Sequence, residues 1–499
     1  MRVRNCSSLC NEMPLAHLSA ESNNHLRHSG SSDRIFGRLL TALLMAAILV
    51  TGSMVHAQDD DEGDGGDEPA LPVHLKPNSE FVLPKGDIKR GDGRRVLLEG
   101  PDKKLVVGRI YVEGDKRYLV TMPDGSLVSV DKGEVSLTDR PFKVKTAEEM
   151  EKMLLEGRFE GFKSKRTKRF IYIYECSDTY FKAANMILET MYPKLVNFCK
   201  KQGLDVRDPE FPLVVIMFGD REGFDDFDPN TPPTAAAYYN NISNYVVMYE
   251  NQELTEYSPT IALKESISTM AHEGVHQILR NTGVQYRFSR WPMWIGEGLP
   301  EYCAPTESGK RIRWKGVGQM NSLRMYSLLR YREHLGKKKR DWFDLEGVVE
   351  AQGLTGLGYA HAWGIVYGMA KSRKTKDKFS ALLQDVSKLG PLEDPPEKGY
   401  YFRKHFGTNN KKNAEHIVAE LNKGIKKKYV DPVENQTYFV AVIETPSSVH
   451  SRVSPSIAYL KKWAQGANEA GVIGKFWIQD FPNRTQARKA RAKFVRSKL

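Results

Sequence analysis

The stretch Met270–Tyr302, MAHEGVHQILRNTGVQYRFSRWPMWIGEGLPEY, decides the fold and the chemistry that the sequence predicts. It contains two histidines, His272 and His276, that lie four positions apart, with Glu273 directly after the first. Four residues make about one turn of an α-helix, so both imidazoles would project from the same side. Two imidazole nitrogens in this arrangement can bind zinc, and a carboxylate beside them can take a proton from a water molecule that attacks a carbonyl.

A helix is the predicted context of these histidines. Ser258 and Pro259 supply a capping hydroxyl and a first-turn proline, and Gly283 is typical of the position after a helix end. Between them, apolar residues recur at helical spacing. For the five residues HEGVH alone, the alternative is a helix whose histidines are surface residues or hydrogen-bonded core residues. The metal site therefore needs a further ligand.

The end of the same stretch offers that ligand. Catalytic zinc takes three protein ligands and keeps one position open, and Glu297 stands 21 residues after His276, on a second predicted helix that begins near Pro292. Glu301 follows one turn later, where it can accept an N–H from a liganding histidine. Pro300 removes a backbone hydrogen bond inside this helix, so we expect a kink in the turn that carries Glu301.

The motif HExxH, followed about twenty residues later by WxxEGxxEY, resembles the pattern of gluzincin zinc metallopeptidases. That group includes thermolysin-like enzymes, aminopeptidase N-type enzymes and the peptidase-MA-like domains of exported bacterial proteins. In many of those exported proteins this last domain is described only as a domain of unknown function. The resemblance implies one Zn²⁺ ion with His272, His276 and Glu297 as its ligands. It also implies Glu273 as the general base and Glu301 as the acid that orients a ligand.

The resemblance covers roughly residues 166–430 and is strong only at 258–303. It implies a gluzincin-like catalytic domain in which a small mixed sheet with helices precedes an α-helical half. The G-A-M-E-N-type signature of exopeptidases does not occur in the sequence, so we predict an endopeptidase.

Gluzincin transition states carry an oxyanion that a tyrosine or a histidine stabilises. The predicted helix GYAHAWGIVYGMA offers Tyr359 as the first candidate donor and His361 as the second, because related domains carry a similar helix led by tyrosine. The alternative is an aromatic stripe, with Trp363 and Tyr367 at four-residue spacing, that only packs against the active-site helix. The run NYVVMYE, residues 244–250, is either the sheet edge that pairs with an extended substrate or a purely structural strand.

The first 57 residues are typical of an export signal. Arg34 and Arg38 precede an apolar run of twelve residues, 39–50, and Val55-His56-Ala57 places small residues at the positions that precede a cleavage point. Twelve apolar residues are too few to span a bilayer comfortably, so we expect removal, with an uncleaved anchor as the alternative. We predict a protein of the periplasm, the cell envelope or the exterior.

Cysteine usage excludes a disulfide framework. Removal of the signal would leave Cys176, Cys199 and Cys303, which are too few for such a framework and lack a metal-binding spacing. We expect buried free thiols, with one bridge between Cys176 and Cys199 as the alternative.

The net charge of +12 is unevenly distributed. Residues 59–68 carry seven acids in a glycine-rich run that cannot bury enough apolar surface to fold, which predicts a flexible linker. Residues 484–499 carry seven bases. We expect a solvated terminal helix there, with contact to an anionic envelope polymer or a membrane surface as the alternative. Export argues against a nucleic-acid partner.

A chain of 499 residues, 40% hydrophobic and 27% charged, is expected to form a globular protein of two or three domains. Short runs rich in Val, Leu, Ile and Tyr between glycine-bearing turns predict a small barrel of about five strands, similar to SH3-like modules. A mixed front half and a helical back half then give an α+β fold. The predicted segments are the signal peptide (1–57), the acidic linker (58–77), the β-barrel-like domain (78–142), a helical and basic linker (143–165), the metallopeptidase domain (166–430) and a C-terminal extension (431–499).

Two functions remain open from the sequence. The leading hypothesis is an exported zinc-dependent metallopeptidase that hydrolyses a peptide or protein substrate. The second is a non-catalytic binding protein of the cell envelope that keeps the fold and a metal site. The intact HEGVH motif favours the first, because a protein without hydrolytic function has no need of Glu273.

Overall fold

The computed structural model describes residues 81–100, 104–229, 231, 235–250, 259–308, 312–336, 342–432, 437–481 and 484–496. The predicted signal peptide and acidic linker lie outside these residues. Within them, residues 81–250 and 261–432 form one compact unit, and residues 437–496 belong to a second. The fold is mixed α+β, as predicted, with four separate sheets and thirteen α-helices in the described part of the chain. No helix in that part is both long and apolar enough to cross a membrane.

The first unit begins with a six-stranded antiparallel sheet. Its strands are β1 (Lys89–Arg90), β2 (Arg95–Glu99), β3 (Leu105–Glu113), β4 (Arg117–Thr121), β5 (Leu127–Asp131) and β6 (Ser136–Thr138). The strand order is β5–β4–β3–β2–β6, and β1 pairs with β3. The two end strands, β5 and β6, do not pair with each other, so the described strands form an open sheet and not the closed barrel that the sequence predicts. Strand β6 is short and mostly exposed, which leaves this edge open.

The predicted helical and basic linker contains a helix and a strand. Thr146 and Glu149 form a capping box at the start of α1 (Ala147–Leu155). The basic part holds β7 (Lys163–Arg166), which pairs antiparallel with the next strand. Lysines on an edge strand discourage pairing with another chain, and the same charges make this strand look like a linker in the sequence.

A five-stranded sheet forms the floor beneath the helices. It adds β8 (Phe170–Tyr174), β9 (Leu213–Phe218), β10 (Ala237–Tyr239) and β11 (Tyr245–Tyr249) to β7, in the order β10–β11–β9–β8–β7. Helix α2 (Asp178–Lys201) connects β8 to its parallel neighbour β9, and α3 (Arg221–Phe227) follows β9. Every residue of β8, β9 and β11 is buried, which is why these strands are continuous apolar runs.

The rest of the first unit is largely helical, as predicted. It contains α4 (Pro259–Asn281), α5 (Met293–Cys303), α6 (Ser322–His334), α7 (Leu345–Glu350), α8 (Gly356–Lys371), α9 (Lys376–Val386), α10 (Tyr400–Phe406) and α11 (Asn410–Lys428). A hairpin of β12 (Thr306–Ser308) and β13 (Ile312–Trp314) follows α5. One apolar core joins one face of the five-stranded sheet to α2, α4, α5 and α8. Cys176, Cys199 and Cys303 are buried free thiols, which confirms the prediction and leaves the alternative Cys176–Cys199 bridge unformed.

The second unit is a three-stranded antiparallel sheet with two helices. Its elements are β14 (Tyr438–Glu444), β15 (Val449–Ser454), α12 (Ile457–Glu469), β16 (Lys475–Phe481) and α13 (Arg484–Arg496), and its strand order is β15–β14–β16. The basic tail is helical over α13. This helix packs on the sheet, because Ala487 is fully buried and the ring of Phe494 lies 4.7 Å from that of Trp477.

Candidate metal centre

Helix α4 carries the HEGVH motif and has the predicted bounds. It begins at Pro259 and ends at Asn281, and Gly283 follows in the left-handed conformation with φ 81°. His272 and His276 are 3% and 2% exposed. Both imidazoles therefore lie inside the protein, on the same side of one helix.

Two features of α4 hold it against its neighbours. A Cβ atom at Gly274 would lie 2.2 Å from Cδ2 of Leu188 on α2, so a glycine is needed where these helices cross. Gln277 Nε2 donates to the carbonyl oxygens of Val214 in β9 and Asn244 before β11, at 2.8 and 3.2 Å. A buried amide thus ties the helix to the sheet one residue after His276.

Helix α5 carries both predicted glutamates and packs closely on α8. A Cβ atom at Gly298 would lie 2.6 Å from the carbonyl oxygen of Ala362, so the glycine after Glu297 lets two helix backbones approach. The helix continues through Pro300 to Cys303 and does not end at the proline. The proline therefore does not stop the turn that carries Glu301.

Three ligand atoms converge between α4 and α5. His272 Nε2 lies 3.0 Å from Glu297 Oε2 and 3.1 Å from His276 Nε2, and His276 Nε2 lies 3.3 Å from Glu297 Oε2. Two tetrahedral ligands of zinc, each 2.0–2.1 Å from the ion, are about 3.3 Å apart. The triangle has nearly these edges, and the three buried residues form a group that can hold a metal ion. The structure thus brings together the three residues predicted as ligands.

Glu301 lies behind the triangle and is held by three groups. Its Oε1 is 3.1 Å from His272 Nδ1 and accepts from Arg324 Nη2 at 2.5 Å, while its Oε2 accepts from Asn321 Nδ2 at 2.9 Å. This is the position predicted for an acid that orients a liganding histidine. Arg324 and Asn321, which sequence reasoning missed, come from the start of α6, and no local pattern connects them to HEGVH. Glu265, two turns before His272 on α4, is a further buried acid that interacts with Arg324.

The buried charges shift one another's pKa values. Burial lowers the pKa of His272, but Glu297 and Glu301 outweigh burial and raise it to about 10. Burial lowers the pKa of His276 to about 4. Burial alone would raise the pKa of Glu297, but His276 and His272 hold it well below its usual range. Arg324 and His272 likewise overcome burial and lower the pKa of Glu301 to about 2. The two carboxylates are therefore ionised, and the proton held by His272 offsets the charge of Glu297 at the position where a metal ion would bind.

Glu273 lies between the triangle and the edge of the five-stranded sheet. Its Oε2 accepts the backbone N–H of Tyr239 at 2.8 Å, and burial raises the pKa of its carboxyl to about 7. The backbone groups of Ala236 and Asn240 hydrogen-bond to residues of the β11 hairpin. Backbone groups along an antiparallel strand point alternately to the two sides, so those of Ala237 and Tyr239 point away from β11. The sheet edge at the site is thus β10.

Of the two alternatives for NYVVMYE, the sheet edge is wrong and the purely structural strand is confirmed. That run is β11, which lies between β10 and β9. Its five residues are all buried, and a continuous apolar run marks an internal strand, whereas an edge strand needs polar or short character.

The structure places one of the two candidate oxyanion donors beside the cluster. The ring of Tyr359 lies 6.1 Å from that of His272, and the guanidinium of Arg324 lies 5.5 Å from the Tyr359 ring. Burial, with Glu297 and Glu273 nearby, raises the pKa of the Tyr359 phenol well above its usual value, so the hydroxyl keeps its proton.

His361 lies elsewhere on the same helix. Two residues correspond to a rotation of about 200° around a helix, which takes His361 to the opposite side from Tyr359. Its Nδ1 lies 3.0 Å from the carbonyl oxygen of Leu357, and its ring packs against Tyr331 and Phe343. Of the two candidates, only Tyr359 contacts a residue of the triangle.

Arg280 is a further residue of the site that sequence reasoning missed. It lies one turn after His276 on α4, with its guanidinium 5.0 Å from the ring centre of Tyr239. The four-residue spacing that selects His272 and His276 also selects this arginine, so the signal was present in the sequence.

Comparison with known proteins gives one family match that overlaps the site. A family model described as "Protein of unknown function (DUF1570)" matches residues 266–393, about a quarter of the chain. The matched range contains both histidines, Glu273, Glu297, Glu301 and Tyr359. No curated protein matches the chain significantly.

Proposed function

We propose that the protein is a zinc-dependent metallopeptidase of the gluzincin type that hydrolyses internal peptide bonds. The observation that carries the proposal is the triangle of His272, His276 and Glu297, with edges of 3.0–3.3 Å, beside which Glu273 lies close enough to His272 and Glu297 to interact electrostatically. Two imidazoles, one carboxylate and a neighbouring carboxylate base form the donor set of a hydrolytic zinc site. The HEGVH and EGLPEY motifs support the same assignment.

The metal ligands, Glu273 and Tyr239 have separate roles in the proposed reaction. Zinc bound by the triangle supplies a Lewis acid that polarises the scissile carbonyl and makes water acidic near neutral pH. Glu273 takes one proton from the attacking water as its oxygen bonds to the carbonyl carbon. It returns that proton to the amine nitrogen as the C–N bond breaks. The N–H of Tyr239 holds one oxygen of Glu273, which fixes the orientation of the carboxylate.

Two further groups support the proposed reaction. The protonated hydroxyl of Tyr359 is the proposed donor to the oxyanion of the tetrahedral intermediate. The side of β10 that faces away from β11 is the proposed partner of an extended substrate, which would bond to the backbone groups of Ala237 and the carbonyl of Tyr239, because the N–H of Tyr239 is held by Glu273. An edge strand that hydrogen-bonds to the backbone of its substrate favours peptides over esters and over amides that have no peptide backbone. Export of the protein, inferred from residues 1–57, is part of the same proposal.

A metal analysis and one substitution test the proposal. The purified protein, supplied with zinc, is expected to bind one ion and to cleave peptides of a casein digest, and a chelator is expected to stop cleavage. Glu273→Gln keeps the shape of the site but removes the base, so it is expected to bind zinc and lose at least about 100-fold in kcat. Glu346→Gln, an exposed position in the first turn of α7, is the matched control. Equal cleavage by Glu273→Gln and the wild type would refute the assigned mechanism.

The second candidate is a non-catalytic envelope protein with a structural metal. The burial of the cluster favours it, since His272, His276 and Glu297 are at most 7% exposed. Full zinc loading of the wild type without chelator-sensitive cleavage of any casein or envelope-protein digest would select this alternative.

A further inference from the structure

Arg280 lies beside the proposed catalytic glutamate. It follows His276 by one helical turn, on the side of α4 that carries the histidines. Its guanidinium carbon is 5.0 Å from the ring centre of Tyr239, the residue whose backbone N–H holds Glu273. The cation therefore lies over the side chain of a β10 residue, on the strand where a substrate is proposed to bind.

Among the described residues, no carboxylate lies within ion-pair distance of the Arg280 guanidinium, although Glu297 and Glu273 interact with it electrostatically from further away. Its Nε–H is buried and has no hydrogen-bond acceptor, and no described carboxylate forms an ion pair with it. Other arginines near the site are satisfied: Arg324 pairs with Glu301, and Arg287 donates to the carbonyl oxygens of Gly125 and Asn241 at 2.8 and 3.2 Å. Arg280 is half-buried, and a cation that is partly removed from water without a carboxylate at ion-pair distance is suited to bind an anion.

The N-terminal sheet supplies the other side of this position. Tyr111 of β3 donates its hydroxyl hydrogen to the carbonyl oxygen of Arg287 at 3.1 Å and lies close enough to Tyr239 and Arg280 to interact electrostatically with both. Leu127 of β5 donates its backbone N–H to Ile242 at 2.8 Å, just after β10. The sheet therefore borders the same end of the site as Arg280.

We propose that Arg280 binds a carboxylate group of the peptide substrate and sets the specificity of the enzyme. The inference rests on the proposed function and names its substrate class. A guanidinium offers a planar fork of donors that matches a carboxylate with two hydrogen bonds. One helical turn separates Arg280 from His276, about 5.4 Å, and an extended peptide advances about 3.3 Å per residue. The carboxylate therefore lies within about two residues of the scissile bond.

Two sources offer such a carboxylate: an aspartate or glutamate side chain, and the carboxyl terminus of a short peptide. Three probes separate them: acetyl-Ala-Leu-Glu-Leu-Ala-amide, the same peptide with glutamine, and the glutamine peptide with a free terminal carboxylate. Binding is measured by calorimetry on chelator-treated protein, which does not cleave them. The wild type is expected to bind one carboxylate probe about 10- to 100-fold more tightly than the neutral peptide.

Substitutions assign the preference to Arg280. Arg280→Gln is expected to bind all three probes equally, and Arg280→Lys is expected to keep part of the preference because it keeps the charge but loses the fork. Arg290→Gln removes the same charge from an arginine that already pairs with Asp394 at 2.7 Å, so it is expected to keep the full preference. Equal binding of all probes by the wild type, or a preference that survives Arg280→Gln, would overturn the inference.

Cleavage of a tryptic peptide library, read by mass spectrometry, separates this inference from the proposed function. The expected result is enrichment of Asp and Glu, or of the carboxyl terminus, within about two residues of the cut bonds, and loss of that enrichment in Arg280→Gln. Cleavage without enrichment refutes the role of Arg280 and leaves the peptidase assignment standing. Carboxylate-selective binding without any cleavage refutes the peptidase assignment and leaves the binding role of Arg280 standing.

Discussion

Replacement of Glu301 by glutamine tests how the site is built. Glu301 is 1% exposed and accepts from Arg324 at 2.5 Å and from Asn321 at 2.9 Å, with His272 Nδ1 at 3.1 Å. Glutamine keeps the volume and the contact with Asn321 but removes the negative charge. The substitution therefore leaves Arg324, itself 3% exposed, without its nearest counter-charge and weakens the contact that orients His272.

The two effects have separable magnitudes. Removal of one partner from a buried ion pair costs about 3–5 kcal/mol of unfolding free energy. We expect about 3 kcal/mol, the lower end, because removal of the Glu301 charge also removes one cause of the raised pKa of Glu265, so that Glu265 ionises more readily beside Arg324. Loss of a carboxylate that orients a metal-binding histidine lowers metal affinity by about 10- to 100-fold. In excess zinc this adds about 1.4–2.7 kcal/mol to the loss of stability, since bound metal stabilises the folded state in proportion to its affinity.

Urea unfolding of Glu301→Gln, with and without zinc, measures both terms, and an unchanged m-value shows that the substitution changes stability alone. Arg324→Met completes a double-mutant cycle with Glu301→Gln. If the unpaired charge of Arg324 causes the loss of stability, the double variant is expected to lose at least about 1 kcal/mol less unfolding free energy than the sum of the two single variants. A loss below about 1 kcal/mol in Glu301→Gln, or additive losses in the cycle, would refute the reasoning.

Three further predictions concern packing, pH and catalysis. Gly298→Ala places a Cβ atom 2.6 Å from the carbonyl oxygen of Ala362 and is expected to cost about 1–3 kcal/mol, whereas Gly296→Ala, whose nearest contact would be 3.7 Å, is expected to be neutral or stabilising in a thermal-shift assay. Burial raises the pKa of Glu265 to about 7, so the folded protein holds a proton that the unfolded chain releases above about pH 4.5. Glu265 alone is therefore expected to lower the stability of the chelator-treated protein by about 3 kcal/mol between about pH 4.5 and 7, which is measured as the difference between the stability–pH curves of the wild type and Glu265→Gln; parallel curves would contradict the assignment. Tyr359→Phe is expected to lower kcat about 100- to 1,000-fold with little change in KM, and an unaltered kcat would exclude Tyr359 as the oxyanion donor.

The parts of the site that the sequence predicts are those encoded by short spacings. His272 and His276 share one side of α4 because they are four residues apart, and helix geometry turns that spacing into a shared direction. Glu297 is predictable because a second short motif, EGLPEY, follows at a distance that allows the chain to reverse. Local periodicity thus gives the ligands before any tertiary contact is known.

The groups that complete the site come from long-range packing. Arg324 and Asn321 reach Glu301 only because α6 packs beside α5. They lie 20 or more residues from Glu301 in the sequence, and no local sequence pattern indicates the contact. The partner of Glu273 is a backbone N–H, that of Tyr239, and a backbone group carries no sequence signal. Strand β7 was not predicted for another reason. Its lysines discourage pairing at an exposed sheet edge, and a run of such charged residues is also typical of a linker.

The structure also explains why two glutamates on one buried helix play different parts. A buried carboxylate needs a counter-charge, and Glu301 has one in Arg324. Among the described residues, no arginine or lysine forms an ion pair with Glu297, which contacts only the two imidazoles. Imidazole can offset that charge only by holding a proton or by sharing a metal ion. Glu301 is therefore suited to orient a neighbour whether or not a metal is bound, whereas Glu297 is suited to be a ligand, and the difference lies in a contact from α6 that the motif itself does not contain.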